Sequence, residues 1–140
     1  MTLNIALTTD IAACQALRRV VFIEEQNVPP DLEVDGLDDK AMHLLATRDS
    51  RPIGCARLLA YGSHGKIGRV CVLADQRGLG LGAALMRAAI GQFRSMPGIT
   101  TVTLGAQVQV ITFYERLGFI AQGPVFDDAG IPHRDMELML

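Results

Sequence analysis

The sequence predicts a mixed α/β fold of the α+β kind, with a mostly antiparallel central sheet flanked by helices. Three observations predict it. Segments with the pattern of short strands outnumber segments with helical spacing. Two turns, "RDSR" at 48–51 and "GSHG" at 62–65, are tight enough to join antiparallel neighbours. Between these hairpins and the last strands lies a strand–helix–strand unit whose turn is built from glycine.

The elements follow in order. "LNIAL" (3–7) alternates and suits a first strand. Thr9 or Asp10 can cap a helix whose apolar positions Ile11, Leu17, Val20, Val21 and Phe22 keep helical spacing. That helix should stop by "NVPP" (27–30), because a proline restricts the residue before it. "DLEVDGLDDK" (31–40) reads as an acidic loop. "HLLAT" (43–47) and "PIGCARLLA" (52–60) form a hairpin, and "IGRVCVLA" (67–74) follows as a further strand. A central helix runs from the glycine turn to "SMPG" (95–98). "ITTVTLGA" (99–106) is a strand, and "VQVITFYERLG" (108–118) a helix closed by Gly118. "FIAQG" (119–123) and "RDMELML" (134–140) are the final strands around the turn-rich "DDAGIP" (127–132).

Composition narrows the function classes. The chain has 140 residues, 49% of them apolar and 20% charged, which suits one globular domain with a core that needs no disulfide. The net charge of −2 supplies no field for nucleic acid. No apolar run approaches the length of a membrane span, and the first ten residues lack the basic start and long apolar stretch of a signal peptide. Cys14, Cys55 and Cys71 form no Cys-x-x-Cys pair; an odd set of thiols points to a reducing, cytoplasmic setting. No Cys, His and Asp cluster has metal-ligand spacing.

The segment "DQRGLGLG" (75–82) carries the strongest chemical signal. A glycine turn that enters a helix exposes amide N–H groups without intrahelical partners, at the positive end of the helix dipole. Without Cβ atoms the backbone can approach a phosphate closely. Arg77 adds a planar fork suited to phosphate oxygens. A Walker loop would need Lys-Ser/Thr after the glycines, and here Ala83 and Ala84 follow. The dinucleotide fingerprint G-x-G-x-x-G is also not matched.

"VCVLADQRGLGLGAALM" (70–86) resembles the acyl-CoA loop of the GNAT superfamily of N-acetyltransferases, whose pattern Gln/Arg-x-x-Gly-x-Gly/Ala is filled by Arg77, Gly80 and Gly82. "ITFYERLGF" (111–119) resembles the family's later helix, with Tyr114, Gly118 and Phe119 at its marked positions. The order of elements agrees with the family over nearly the whole chain. The resemblance implies a GNAT-like fold over 1–140 and acetyl transfer from acetyl-CoA to a primary amine, by direct attack in a ternary complex and without a metal. It implies that the CoA pyrophosphate lies on Arg77, Gly78, Leu79, Gly80, Leu81 and Gly82. The pantetheine arm would add as a strand along Val70, Cys71 and Val72, where an amide also faces the thioester carbonyl. Tyr114 would serve the departing thiolate. A phenol near 10 against a thiol near 8.5 makes full proton transfer uphill by roughly 2 kcal/mol, so hydrogen bonding to sulfur is its expected part.

The chain departs from the family where a base is concerned. The strand before the loop lacks the frequent glutamate, and Gln107 stands near the place of a frequent asparagine. The remaining candidates are Glu25, Glu33, Asp35, His43 and His133, each of which also has a plain surface or core explanation. The resemblance implies that the connection "VVFIEEQNVPPDLEVDGLDD" (20–39) lines the acceptor side, and its acidic residues are expected to recognise a cationic small-molecule amine, with Glu25 and Glu33 leading. A site without an evident base suits α-amines and amino sugars better than lysine side chains, whose amine near 10.4 is almost wholly protonated at neutral pH. Two other classes stay open: an acyl-CoA sensor that has lost the chemistry, and a general nucleotide-phosphate binder. The final strands could also pair across a homodimer.

Overall fold

The computed structural model describes residues 2–140. Strand β1 (Leu3–Thr8) leads into helix α1 (Ile11–Arg18), where the Asp10 carboxylate caps the amide of Ala13 at 3.1 Å. The helix continues as a π-helical stretch, Arg19–Glu25. The expected loop then contains a short helix, α2 (Pro30–Glu33), with Pro30 in the first turn, where a missing N–H costs nothing. Strands β2 (Met42–Arg48), β3 (Arg51–Tyr61) and β4 (His64–Val72) form a meander. Helix α3 (Leu81–Arg94), strand β5 (Thr101–Gln107), helix α4 (Ile111–Glu115) and the hairpin β6 (Ile120–Asp128) and β7 (Ile131–Met139) complete the order.

These strands make a seven-stranded sheet in the order β1-β2-β3-β4-β5-β7-β6. Only β4 and β5 run parallel, because α3 carries the chain back to the start of the sheet between them. Helix α3 covers one face with Leu81, Leu85, Met86, Ala89, Ile90 and Phe93, all buried at helical spacing. The fully buried Phe93 ring lies flat against Gly65 of β4; a Cβ there would stand 2.4 Å from the ring. Helix α1 covers part of the other face, where Cys14, Leu17 and Val21 pack on Cys55 and Cys71.

One irregularity shapes the molecule. Strand β4 pairs with β5 only through His64↔Thr101, Gly65↔Val102 and Lys66↔Thr103. On its other side Arg57 pairs Gly68 and Cys55 pairs Cys71, so β4 spends one residue more than β3 over that interval. Such a bulge bends the strand that carries it. Arg69 sits inside it with φ +51°, a left-handed conformation unusual for arginine. From Ile67 on, through the bulge, β4 no longer pairs with β5 and a wedge opens in the middle of the sheet.

Candidate active site

The wedge is a cleft of about 800 Å³. Its walls come from β4 and β5, its mouth from the loop into α3 on one side and the β6–β7 hairpin on the other. Leu73 donates to the carbonyl of Ile53 on β3 at 2.9 Å, and successive strand residues send their backbone groups to opposite sides. Val72 and, by the same count, Val70 therefore turn their N–H and C=O away from β3 toward the cleft, where the Val72 carbonyl is taken by Arg77. Their side chains pack into the core under α3. The side chain of Cys71 alternates to the α1 face, where its Sγ lies 3.4 Å from Cys55 Sγ, buried and away from the cleft.

At the loop, Gly78 and Gly80 adopt φ values of +79° and +80°, which a residue with a Cβ reaches only under strain. Gly80 is the N-cap of α3. The first intrahelical bond runs from Ala84 to the Gly80 carbonyl at 3.1 Å, so the amides of Leu81, Gly82 and Ala83 have no partner in the helix. Gly78, Gly80, Leu81 and Gly82 all line the cleft; the Leu79 side chain is exposed instead. Arg77 donates from Nε to the Val72 carbonyl at 3.0 Å and from Nη2 to Glu25 Oε1 at 2.9 Å. The guanidinium holds the Glu25 carboxyl below its usual range.

Tyr114 lines the cleft from α4, its ring edge-on to Phe113 and Phe119. Gly118 with φ +101° ends that helical turn, and Phe119 donates back to the Tyr114 carbonyl at 3.2 Å. Burial pushes the phenol above its ordinary value, so it stays protonated at neutral pH and keeps a hydrogen to donate.

The acidic connection is not an open anionic mouth. Asp35 takes a two-pronged bond from Arg57 at 2.8 and 2.7 Å, which holds its carboxyl well below the carboxylate range. Arg69 reaches the Glu33 carbonyl at 3.0 Å and Asp35 at 3.2 Å, which fastens the bulge to this connection. Asp38 accepts from Arg18 at 2.9 and 3.0 Å. Glu33 is buried and lines the cleft, with Oε1 3.7 Å from Arg69 Nε and 3.9 Å from Arg18 Nη1. Glu25 and His43, expected on the acceptor side, stand elsewhere. Glu25 is engaged by Arg77, and His43 is buried between the Asp38 carbonyl at 3.0 Å and Arg18 at 3.3 Å. His133 does line the cleft, from β7.

Three contributors escaped the sequence. Arg57 and Arg69 anchor the connection, and the only sequence signal was a charge inside an otherwise apolar strand pattern. Gln26 bridges to Gln107 on β5 at 3.0 Å, a pairing between residues far apart in the chain.

The family model of the Acetyltransferase (GNAT) domain matches residues 16–140. The chain belongs to the GNAT acetyltransferase family. Among GNAT relatives, the uncharacterized N-acetyltransferase YjcF of Bacillus subtilis is 35% identical over 121 residues, with 86% of each chain covered. A crystal structure of an acyl-CoA N-acyltransferase from Pseudomonas aeruginosa superposes with a TM-score of 0.88 at 34% identity, covering 98% of this chain and 99% of that one. The Escherichia coli ElaA structure gives 0.87 at 29% identity over 98% and 99%. The GNAT resemblance of the loop and of the tyrosine helix thus holds for the chain as a whole, and the mixed sheet is that of the GNAT fold. Among the described residues no helix is long and apolar enough to cross a membrane, and no group of His, Cys, Asp and Glu is placed to hold a metal.

Proposed function

We propose that this GNAT protein transfers an acetyl group from acetyl-CoA to the primary amine of a small molecule, by direct attack while both substrates are bound. One observation carries the proposal: a single continuous cleft joins the free amides of α3, the open edge of β4, Tyr114 and the acceptor side. Each part has a task. The amides of 78–82 and Arg77 suit the diphosphate of CoA. The edge that Val70 and Val72 present suits the amide-rich pantetheine arm as an added strand, while Cys71 between them turns to β3 and α1. A preplaced N–H on that edge faces a thioester carbonyl and stabilises its developing oxyanion, an effect worth on the order of a hundredfold in rate. Tyr114 donates to the sulfur as the C–S bond breaks. The amine enters between α2 and the β6–β7 hairpin, where Glu33 and His133 line the wall.

The ternary route is favoured over an acetyl-cysteine relay by the position of Cys71, whose thiol is sealed on the far face of β4. A screen of primary amines followed by free CoA release tests the proposal. Turnover with at least one amine is the expected outcome. Calorimetric binding of acetyl-CoA with no turnover across a broad panel would instead favour an acyl-CoA sensor.

A further inference from the structure

We infer that the Nε2 atom of His133 takes the proton from the acceptor amine. This deepens the acetyl-transfer proposal and rests on it. His133 Nδ1 lies 2.7 Å from the carbonyl of Ile131. A carbonyl oxygen only accepts, so the shared hydrogen is on Nδ1, and the neutral ring keeps its lone pair on Nε2. The ring is fixed in place as well as in tautomer. It stacks on Phe126, with centroids 6.0 Å apart and planes 28° apart, and Phe126 in turn packs over Gly105 of β5. In the β5–β7 ladder His133 stands directly opposite Gln107, so it belongs to the wall of the wedge.

Most of the other candidates are engaged by partners. His43 uses both ring nitrogens and is buried. The carboxylates of Glu25, Asp35 and Asp38 are held by arginines, which occupies their lone pairs and offsets their charge. Glu33 lies within 4 Å of two guanidiniums. Asp128 of β6 and Asp135 of β7 share the cleft wall with His133, and Lys66 faces it from β4; across the cleft Arg57 and Arg69 are compensated by Asp35 together with Asp38 and Glu33. An imidazole is a stronger base than a carboxylate and so takes up the amine proton more readily.

The step balances without a further reagent. The amine lone pair forms the N–C bond to the thioester carbon, and a proton passes from that nitrogen to His133 Nε2. The C–S electron pair leaves with the CoA sulfur, which Tyr114 hydrogen-bonds. The imidazolium proton then reaches the thiolate through solvent, leaving amide, free thiol and neutral histidine.

His133→Asn tests this, since an asparagine amide keeps a donor near the Nδ1 position and lacks Nε2. Glucosamine, glycinamide and tyramine serve as probes, with CoA release followed across the neutral pH range. The expected result is a fall of about 10²–10³ in kcat/KM for the amine and loss of the acidic limb of the profile. Calorimetric affinity for acetyl-CoA should stay within about twofold. A variant that keeps near wild-type turnover and its acidic limb overturns the inference while leaving acetyl transfer intact. Imidazole nitrogen spectra of the full chain give an independent check, and a neutral His133 protonated at Nε2 would also overturn it. A wild-type protein that binds acetyl-CoA and acetylates none of the amines overturns the transfer proposal itself, and this inference with it.

Discussion

The Glu25 carboxylate grips the Arg77 guanidinium with both oxygens, across 52 residues of sequence. It holds that fork as a phosphate would, at the mouth where the diphosphate of CoA is proposed to bind. Ligand and carboxylate therefore compete for one cation. Glu25→Gln removes the competitor and its repulsion of phosphate. Both partners are partly exposed, so the pair is worth no more than about 1 kcal/mol. Calorimetry should show CoA binding tightened by roughly two- to fivefold, and Arg77→Gln should weaken it.

Tyr114→Phe should lower kcat by about a hundredfold and change the KM for acetyl-CoA little, because the hydroxyl matters only as charge gathers on sulfur. The ring packs against Phe113 and Phe119, and phenylalanine preserves those contacts. Steady-state kinetics on the best amine substrate decide the matter. Unchanged kcat would remove Tyr114 from the chemistry.

Asp35→Asn should destabilise the fold at pH 7 by about 1–3 kcal/mol, because it removes the two-pronged partner of the buried Arg57 and leaves only the longer contact to Asp38. The pH dependence follows from the depressed carboxyl of Asp35. Its contribution is fully present above the ordinary aspartate value near 3.9 and is lost as pH falls through the lower folded value. The stability gap between wild type and variant should thus narrow below about pH 4. Urea melts at neutral and acid pH measure it.

Gly65→Ala should cost about 1–3 kcal/mol, since the new methyl would meet the Phe93 ring with no room to yield. Phe93→Leu in the same chain should recover part of that loss. A double-mutant cycle in thermal unfolding would show the coupling; simple additivity would mean that the ring and the strand do not press on each other.

The sequence revealed what is local. The α3 entry was legible because its glycines act through their own backbone angles, and α4 was legible because Gly118 closes it in place. Tyr114 came from a motif, and the structure places it in the cleft. The ion-pair partners were not legible. Glu25, Glu33 and Asp35 read as an acidic run, and nothing in that run says that Arg77, Arg18, Arg57 and Arg69 fold back onto it. The bulge at Arg69 was hidden for the same reason, since it exists only as a mismatch between two strands. Strand β6 extends to Asp128, past the expected "FIAQG", because almost all its side chains face solvent and leave no alternation to read.

The thiols beneath α1 have a practical consequence at the bench. Cys14, Cys55 and Cys71 are exposed by 0%, 1% and 4%; a hydrogen bond with Cys14 works toward the Cys55 thiolate, but that with Cys71, followed by burial, outweighs it and pushes the thiol up, away from its reactive form. A colorimetric sulfhydryl reagent added to the native enzyme should thus register liberated coenzyme over a nearly silent background. A slow upward drift without substrate would report the protein itself coming apart, so one cuvette can follow both turnover and integrity.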